Sequence, residues 1–353
     1  MRKMALAALC AVGLALGLAG AARADTHAPW PDDWNNWNDP ALWVTVGNPG
    51  NAADTHWTSP GYGAVPYTYN IGKYEVTAGQ YTAFLNAVAK TDTYGLYNTN
   101  MSSTSDGSGI GRIGLSGSYI YGTVDANFVN RPVNYVSFWN SCRFANWLHN
   151  GQPTGAQGAG TTERGAYTLD GFNEGDGRTI QRSADAKYAV TSEDEWYKAA
   201  YYNAANGTYF DYPTSSNTAP GRDMADASGN NVNIHEINWI NGTPYPIDSG
   251  KYTTVAGEFQ NSDSPYGTFD QGGNVWEWND TGGRMGSGWS TRGLRGGSFD
   301  SPDWYVISGY QRDGGPANEN AHNNFGFRVV EVPEPATLSL LALGGLLALR
   351  RRR

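Results

Sequence analysis

Ser264-Pro-Tyr-Gly-Thr-Phe-Asp270-Gln-Gly-Gly-Asn274-Val-Trp276-Glu277-Trp278 is the stretch on which the reading of this 353-residue chain turns. Gly272 and Gly273 allow tight backbone turns, because a residue without Cβ enters left-handed conformations freely. Behind them Trp276 and Trp278 alternate with Glu277, which in a strand sets two large rings on one face and a carboxylate on the other. Asp270 and Glu277 can converge on a hard cation, with backbone carbonyls filling the oxygen shell that calcium requires. The same spacing also allows Glu277 to pair with an arginine such as Arg295 or Arg328. Spacing alone leaves both open.

The surrounding composition narrows the class. The chain has 46 Gly, 13 Trp and 13% aromatic residues, too aromatic for intrinsic disorder and without a G-X-Y period. A net charge of −9 excludes nucleic acid as a partner, since phosphate binding needs clustered Lys and Arg. Many Gly, Asn, Tyr and Trp with few helix formers predict a loop-rich fold.

Both ends read as addresses. Met1-Arg2-Lys3, the apolar run Met4 to Ala22 and the small-x-small Ala22-Arg23-Ala24 predict a signal peptide over 1–24, removed by signal peptidase. At the other end Val332-Pro333-Glu334-Pro335 precedes an apolar run from Ala336 to Leu349 and then Arg350-Arg351-Arg352-Arg353. That run is short of the about 20 residues a spanning helix needs, but the arginines favour the cytoplasmic side. Pro-Glu-Pro, a short hydrophobic helix and an Arg cluster resemble the PEP-CTERM sorting signal of Gram-negative bacteria, here over 332–353. The resemblance implies recognition by a membrane-bound exosortase, export across the inner membrane, membrane contact through the C-terminal helix, and a destination in the cell envelope, on the cell surface or outside the cell. Each terminal segment carries three net positive charges, so the body between them has a formal charge of −15. Cys10 leaves with the signal, and Cys142 stands alone without a disulfide partner.

Between the ends, residues 25–65 form a Trp-rich lead-in and 66–331 a single domain. Residues 67–76 alternate as one or two short strands. Thr77 and Gln80 form a capping box for a helix to about residue 89, with Tyr81, Phe84, Leu85 and Val88 on its apolar face. Ser137 caps a second helix that stops at Asn150-Gly151, and Ser192 with Glu195 opens a third. Long Gly/Asn/Ser/Thr stretches at 98–118, 150–178, 203–232 and 281–293 read as loops. The fold class is α+β.

Common catalytic signatures are absent: no Gly-x-Ser-x-Gly, His-Glu-x-x-His or Walker loop. Gly109-Ile-Gly-Arg-Ile-Gly114 fits the dinucleotide spacing but follows a Ser/Gly tract and precedes no helix pattern. The five histidines have no metal-ligand spacing. His149 reads as a partner of its helix terminus, and Cys142 as a buried structural thiol.

Six segments in order resemble one family: Ile71-Gly-Lys-Tyr-Glu-Val-Thr77, Arg131-Pro-Val-Asn-Tyr-Val-Ser137, Tyr188-Ala-Val-Thr-Ser-Glu-Asp-Glu-Trp196, Gly272-Gly-Asn-Val-Trp-Glu-Trp278, Leu294-Arg-Gly-Gly-Ser298 and Gly326-Phe-Arg-Val329. Together they look like the formylglycine-generating, sulfatase-modifying-factor family. The resemblance implies a variant of the C-type-lectin fold with structural calcium. It assigns one calcium site to Asp270 and Glu277 with the carbonyls of Gly273 and Val275. A second would use Asn233 and Asp248 with the carbonyls of Ile234 and Gly250. Copper-using members hold the metal between two thiolates shortly after Gly-Gly-Ser. The corresponding positions here are Ser301 and Val306, with Ser298 retained, so neither copper nor formylglycine chemistry is expected. The favoured role is a noncatalytic binding protein whose Asp300, Trp304, Tyr305, Tyr310 and Arg312 line the family cleft. Rigid aromatics and acids there suit a polysaccharide or matrix protein. The alternative is an enzyme or maturation factor of the formylglycine-generating family, an oxidoreductase acting on a protein cysteine, or one of other chemistry in the same cleft, with Asp300, Asp303 and Asp313 as candidate acids and bases.

Overall fold

The structure, a computed structural model, describes residues 36–56, 61–173, 177–235, 247–248, 250–282, 292–310, 312–314 and 321–333. The signal-peptide segment, residues 25–35 of the lead-in and the Glu334–Arg353 part of the sorting signal lie outside them. The strands are β1 Trp43–Val46, β2 Tyr69–Gly72, β3 Ile110–Ile113, β4 Ile120–Thr123, β5 Tyr188–Val190, β6 Tyr202–Asn203, β7 Thr208–Tyr209, β8 Trp276–Gly282, β9 Arg292–Arg295, β10 Arg312–Gly314, β11 Phe325–Phe327 and β12 Val329–Glu331. The helices are α1 Ala78–Val88, α2 Phe138–His149 and α3 Glu193–Tyr201.

Local sequence sets each helix. At α1 the Gln80 N–H donates to Thr77 Oγ1 at 3.3 Å and the Thr77 N–H donates to Gln80 Oε1 at 2.9 Å, the reciprocal box that satisfies two orphan donors. Ser192 and Glu195 repeat it at α3, and Ser137 caps α2 through the Asn140 N–H. The α2 stop is also as the sequence reads, with Asn150 as cap and Gly151 at φ 79°.

Two four-stranded sheets organise the domain, in the orders β1-β2-β12-β5 and β10-β9-β8-β11. The first is antiparallel throughout, while β8 and β11 of the second pair in parallel. β1 pairs with β2 from Trp43↔Gly72 to Val46↔Tyr69, so the segment read as a lead-in supplies an edge strand and the domain begins before residue 66. The stretch 98–118 is likewise not all loop: β3 lies within it and forms a hairpin with β4. The core fills the space between α1, α2 and the sheets. Phe84, Phe144, Trp147 and Phe327 pack edge-on or tilted at centroid distances of 5.2 to 5.6 Å, the geometry aromatic quadrupoles favour.

Candidate binding cleft

The stretch that opened the sequence reading is the hinge between core and cleft. Gly273 has φ 84°, and a Cβ there would lie 2.2 Å from the Asn233 carbonyl oxygen, so only glycine fits. The Asn233 carbonyl accepts from the Asn274 N–H at 2.8 Å, and the Asn274 carbonyl accepts from the Phe299 N–H at 2.9 Å. These bonds pin the segments 231–235 and 296–301 to β8.

Trp276, Glu277 and Trp278 are all fully buried. Glu277 takes the arginine partner: Arg328 donates to both its oxygens at 2.8 and 3.0 Å, and Trp196 Nε1 donates to Oε2 at 2.8 Å. Arg295, although opposite Glu277 in the β8–β9 register, turns instead to Glu193 at 2.5 Å. Asp270 accepts from the Gly257 N–H at 2.5 Å. A third acid, Glu75, lies in the same electrostatic neighbourhood. Burial, then the charges of Asp270 and Glu277, push its carboxyl well above the usual range, and its Oε1 is buried without a hydrogen-bond partner. Arg328 is the arginine set against these acids, and a bound cation would offset the acids it leaves unpaired.

The second calcium set is less favourable by charge. The Asp248 carboxylate is engaged by Arg131. Asn233 donates its amide to the Tyr252 carbonyl at 2.9 Å and to Asn274 Oδ1 at 3.2 Å, while its own Oδ1 is buried without a partner. The Ile234 side chain packs with Val232 and Val306, and Gly250 takes φ 80° in a turn after Asp248. Residues 236–246, which join the halves, lie outside the described residues. Among the described residues no three His, Cys, Asp or Glu side chains form a metal-binding group.

The positions of the family cysteines carry no thiol. Ser298 Oγ donates to Asp300 Oδ1 at 2.6 Å and lies 2.9 Å from Ser301 Oγ, and Asn324 Nδ2 donates to both Asp300 oxygens at 3.0 Å. Val306 is buried in an apolar cluster with Val232 and Ile234. A hydroxyl and an aliphatic group do not fit soft Cu(I), which takes thiolate or thioether ligands. Cys142 is buried on α2, and burial pushes its thiol far up.

The expected aromatic site divides. Tyr305 and Tyr310, both half-buried, stack at 4.3 Å and pack on buried Trp276 at 5.7 and 6.0 Å. Asp300 is held inside the Ser298–Asn324 network. Trp304 is 49% exposed and stands edge-on to Tyr305. It walls a cleft of about 290 Å³ with Asp303, His235, Ile234, Arg222, Gly221 and Pro220. The side chains of Arg312 and Asp313 lie outside the description. Arg222 and His235 join this cleft without a sequence motif to announce them. Their segment meets the 301–306 loop through the His235 N–H on the Ser301 carbonyl at 2.8 Å, a contact no periodicity announces.

Short strands, three helices and long loops around a buried β8 define an α+β, loop-rich domain of the sulfatase-modifying-factor type. The chain belongs to the family described as sulfatase-modifying factor enzyme 1-like domain, which it matches over residues 44–332. Residues 331–353 match the PEP-CTERM protein-sorting motif, which implies an exosortase-type sorting enzyme, export and association with the cell envelope. Among solved structures the chain is similar to CarF, with 18% identity, a TM-score of 0.46 and coverage of 83% of this chain and 98% of that one. It is also similar to variable protein 1 of Treponema denticola, with 17% identity, a TM-score of 0.47 and coverage of 82% and 95%. PvdO from Pseudomonas aeruginosa shares 17% identity at a TM-score of 0.41, covering 81% and 100%. No curated protein matched the chain. No helix among the described residues is long and apolar enough to cross a membrane.

Proposed function

We propose that this chain is an exported, noncatalytic binding protein of the cell surface or matrix, with the Trp304 cleft as its ligand site. The observation that carries the reading is a half-exposed Trp304 walling a cleft, in a loop whose Ser301 and Val306 carry no thiol. An indole left half in water presents a face on which a sugar ring stacks, and Asp303, His235 and Arg222 supply hydrogen-bonding groups for hydroxyls. The ligand class is therefore polysaccharide, with matrix protein as the other candidate. Calcium belongs to the same proposal as a structural ion. Asp270 and Glu277 with the carbonyls of Gly273 and Val275 would hold it, neutralising the acid surplus beside Glu75.

The test is binding of the mature protein to neutral and uronate-containing polysaccharides and to matrix extracts, with calcium and after chelation. Saturable binding lost in Trp304→Ala supports the reading; no binding to any of these sinks it. The enzyme alternative rests on His235 and Asp303 lining one cleft, the residue types of a general acid–base pair. Turnover of a bound glycan that survives in Trp304→Ala but vanishes in His235→Gln would favour that alternative.

A further inference from the structure

The Gly109–Gly114 segment, which has dinucleotide spacing but no helix behind it, builds a surface the cleft does not use. β3 and β4 pair with Gly111 opposite Gly122 and Ile113 opposite Ile120. One face of this hairpin is inward: Ile110 and Tyr121 are buried, and Asn86 of α1 holds both the N–H and the carbonyl of Tyr121 at 3.0 and 2.9 Å. Arg112 also leaves the outer face, lying over the Tyr97 and Tyr119 rings and reaching Asp92. Strand alternation sends Ile113, Ile120 and Val124 outward. A Cβ on Gly111 would meet Val124 Cγ1 at 3.2 Å, which puts both on that face. Ile113, Ile120 and Val124 are 69, 59 and 50% exposed, and Leu115 at the turn is 80% exposed. Four of the six large apolar residues that stand exposed among the described ones thus crowd onto one hairpin. Single exposed apolar residues need no explanation, but a contiguous group does.

Its place in the fold says what covers it. The hairpin turn is tied to the C-terminal end of α1 by the Gly117 and Tyr119 N–H groups, both donating to the Lys90 carbonyl. The α1 end is tied to the segment after α2 by the Gly155 N–H on the Ala87 carbonyl at 3.0 Å. His149, the last residue of α2, accepts from the Lys187 N–H at 3.0 Å, and the Lys187 carbonyl accepts from the Val332 N–H at 2.9 Å. The apolar tip and the point where the chain leaves the fold therefore share one end of the molecule. Only Glu334 and Pro335 separate Pro333 from the apolar run Ala336–Leu349, a tether of roughly 10 Å at about 3.5 Å per residue.

We propose that the β3–β4 hairpin is a membrane-docking wedge: while the C-terminal run is held at the bilayer, Ile113, Leu115 and Ile120 enter its interfacial layer and set the domain's orientation. The tether fixes proximity and the wedge fixes pose, leaving the Trp304 cleft to its own ligand.

The test uses residues 25–353, the chain without Cys10, in phosphatidylethanolamine/phosphatidylglycerol vesicles containing brominated phosphatidylcholine. Leu115→Cys takes an environment-sensitive thiol probe selectively, because Cys142 is buried. Ser228→Cys, exposed on a loop before Asn231, is the control. The expected result is at least threefold stronger lipid quenching at 115 than at 228, abolished when Ile113→Ser and Ile120→Ser are added. Melting curves of all variants check that these surface changes leave the fold intact. Equal quenching at both positions overturns the proposal. A concentration-dependent blue shift at 115 without lipid also overturns it, assigning the face to a second copy of the chain.

Discussion

Two regions of this domain, a few residues apart in sequence, treat polar groups in opposite ways. Under β8 and α3, charges are buried and matched: Glu277 with Arg328, Glu193 with Arg295, and Glu195 with Arg182 at 2.9 Å. In the loop from Ser298 to Tyr310, Ser301 and Val306 stand where the resemblance would put the thiolates of copper-using members, and one indole is left half in water. The family's recurring segments supply the first region almost entirely. The frame is locked by charge, and the loop it carries is not.

The comparison breaks most sharply at Glu277. Glu277→Ala removes the carboxylate that is hydrogen-bonded to buried Arg328 and takes a partner from Trp196, so a loss of about 3–5 kcal/mol is expected in urea unfolding. A loss below 1 kcal/mol would mean the frame is not locked by charge. Next is the replaced site. Ser301→Cys with Val306→Cys should cost about 1 kcal/mol through repacking of the Val232–Ile234 cluster and should create a Cu(I) site by thiolate pairing. Native protein binding Cu(I) as tightly as the double variant would contradict the altered-loop reading.

Glu75 sharpens the frame from the other side. Its folded carboxyl is raised, so above the ordinary value of 4.5 the unfolded chain releases a proton that the folded chain retains. Stability attributable to Glu75 therefore falls as pH rises from about 4.5 toward the folded value. Glu75→Gln should melt higher than native protein at pH 7 and converge with it below pH 4.5, and added calcium should narrow the gap. An unchanged gap with calcium would remove the structural-ion proposal. The smallest effect on stability belongs to Trp304→Ala, within about 0.5 kcal/mol because the ring is half exposed. A larger loss would make Trp304 part of the frame.

The sequence made the frame legible because its signals are local or ordered. Thr77–Gln80, Ser137 and Ser192–Glu195 each place a helix start within four residues, and Trp276-Glu277-Trp278 declares its strand by alternation. What stayed hidden depends on contacts between distant segments. Whether Glu277 meets Arg295 or Arg328 is decided by side-chain direction, since the register favours the first and the ion pair takes the second. β1 hid in a Trp-rich segment because its partner lies 25 residues on, and β3 hid in a Gly/Ser tract. The resemblance places Tyr305 and Tyr310 in the family cleft, and their packing on Trp276 is a contact the sequence does not announce. His235 joins the cleft only through the fold of the 231–235 segment onto Ser301.

β12 carries a consequence for where a sorting cut can fall. It lies between β2 and β5, pairing Val330 with Ile71 on one side and with Ala189 on the other. The first sheet therefore cannot close without residues 329–331, and the matched sorting motif begins at residue 331. A cut within β12 would open the sheet, so a sorting cut that spares the fold has to fall beyond Glu331.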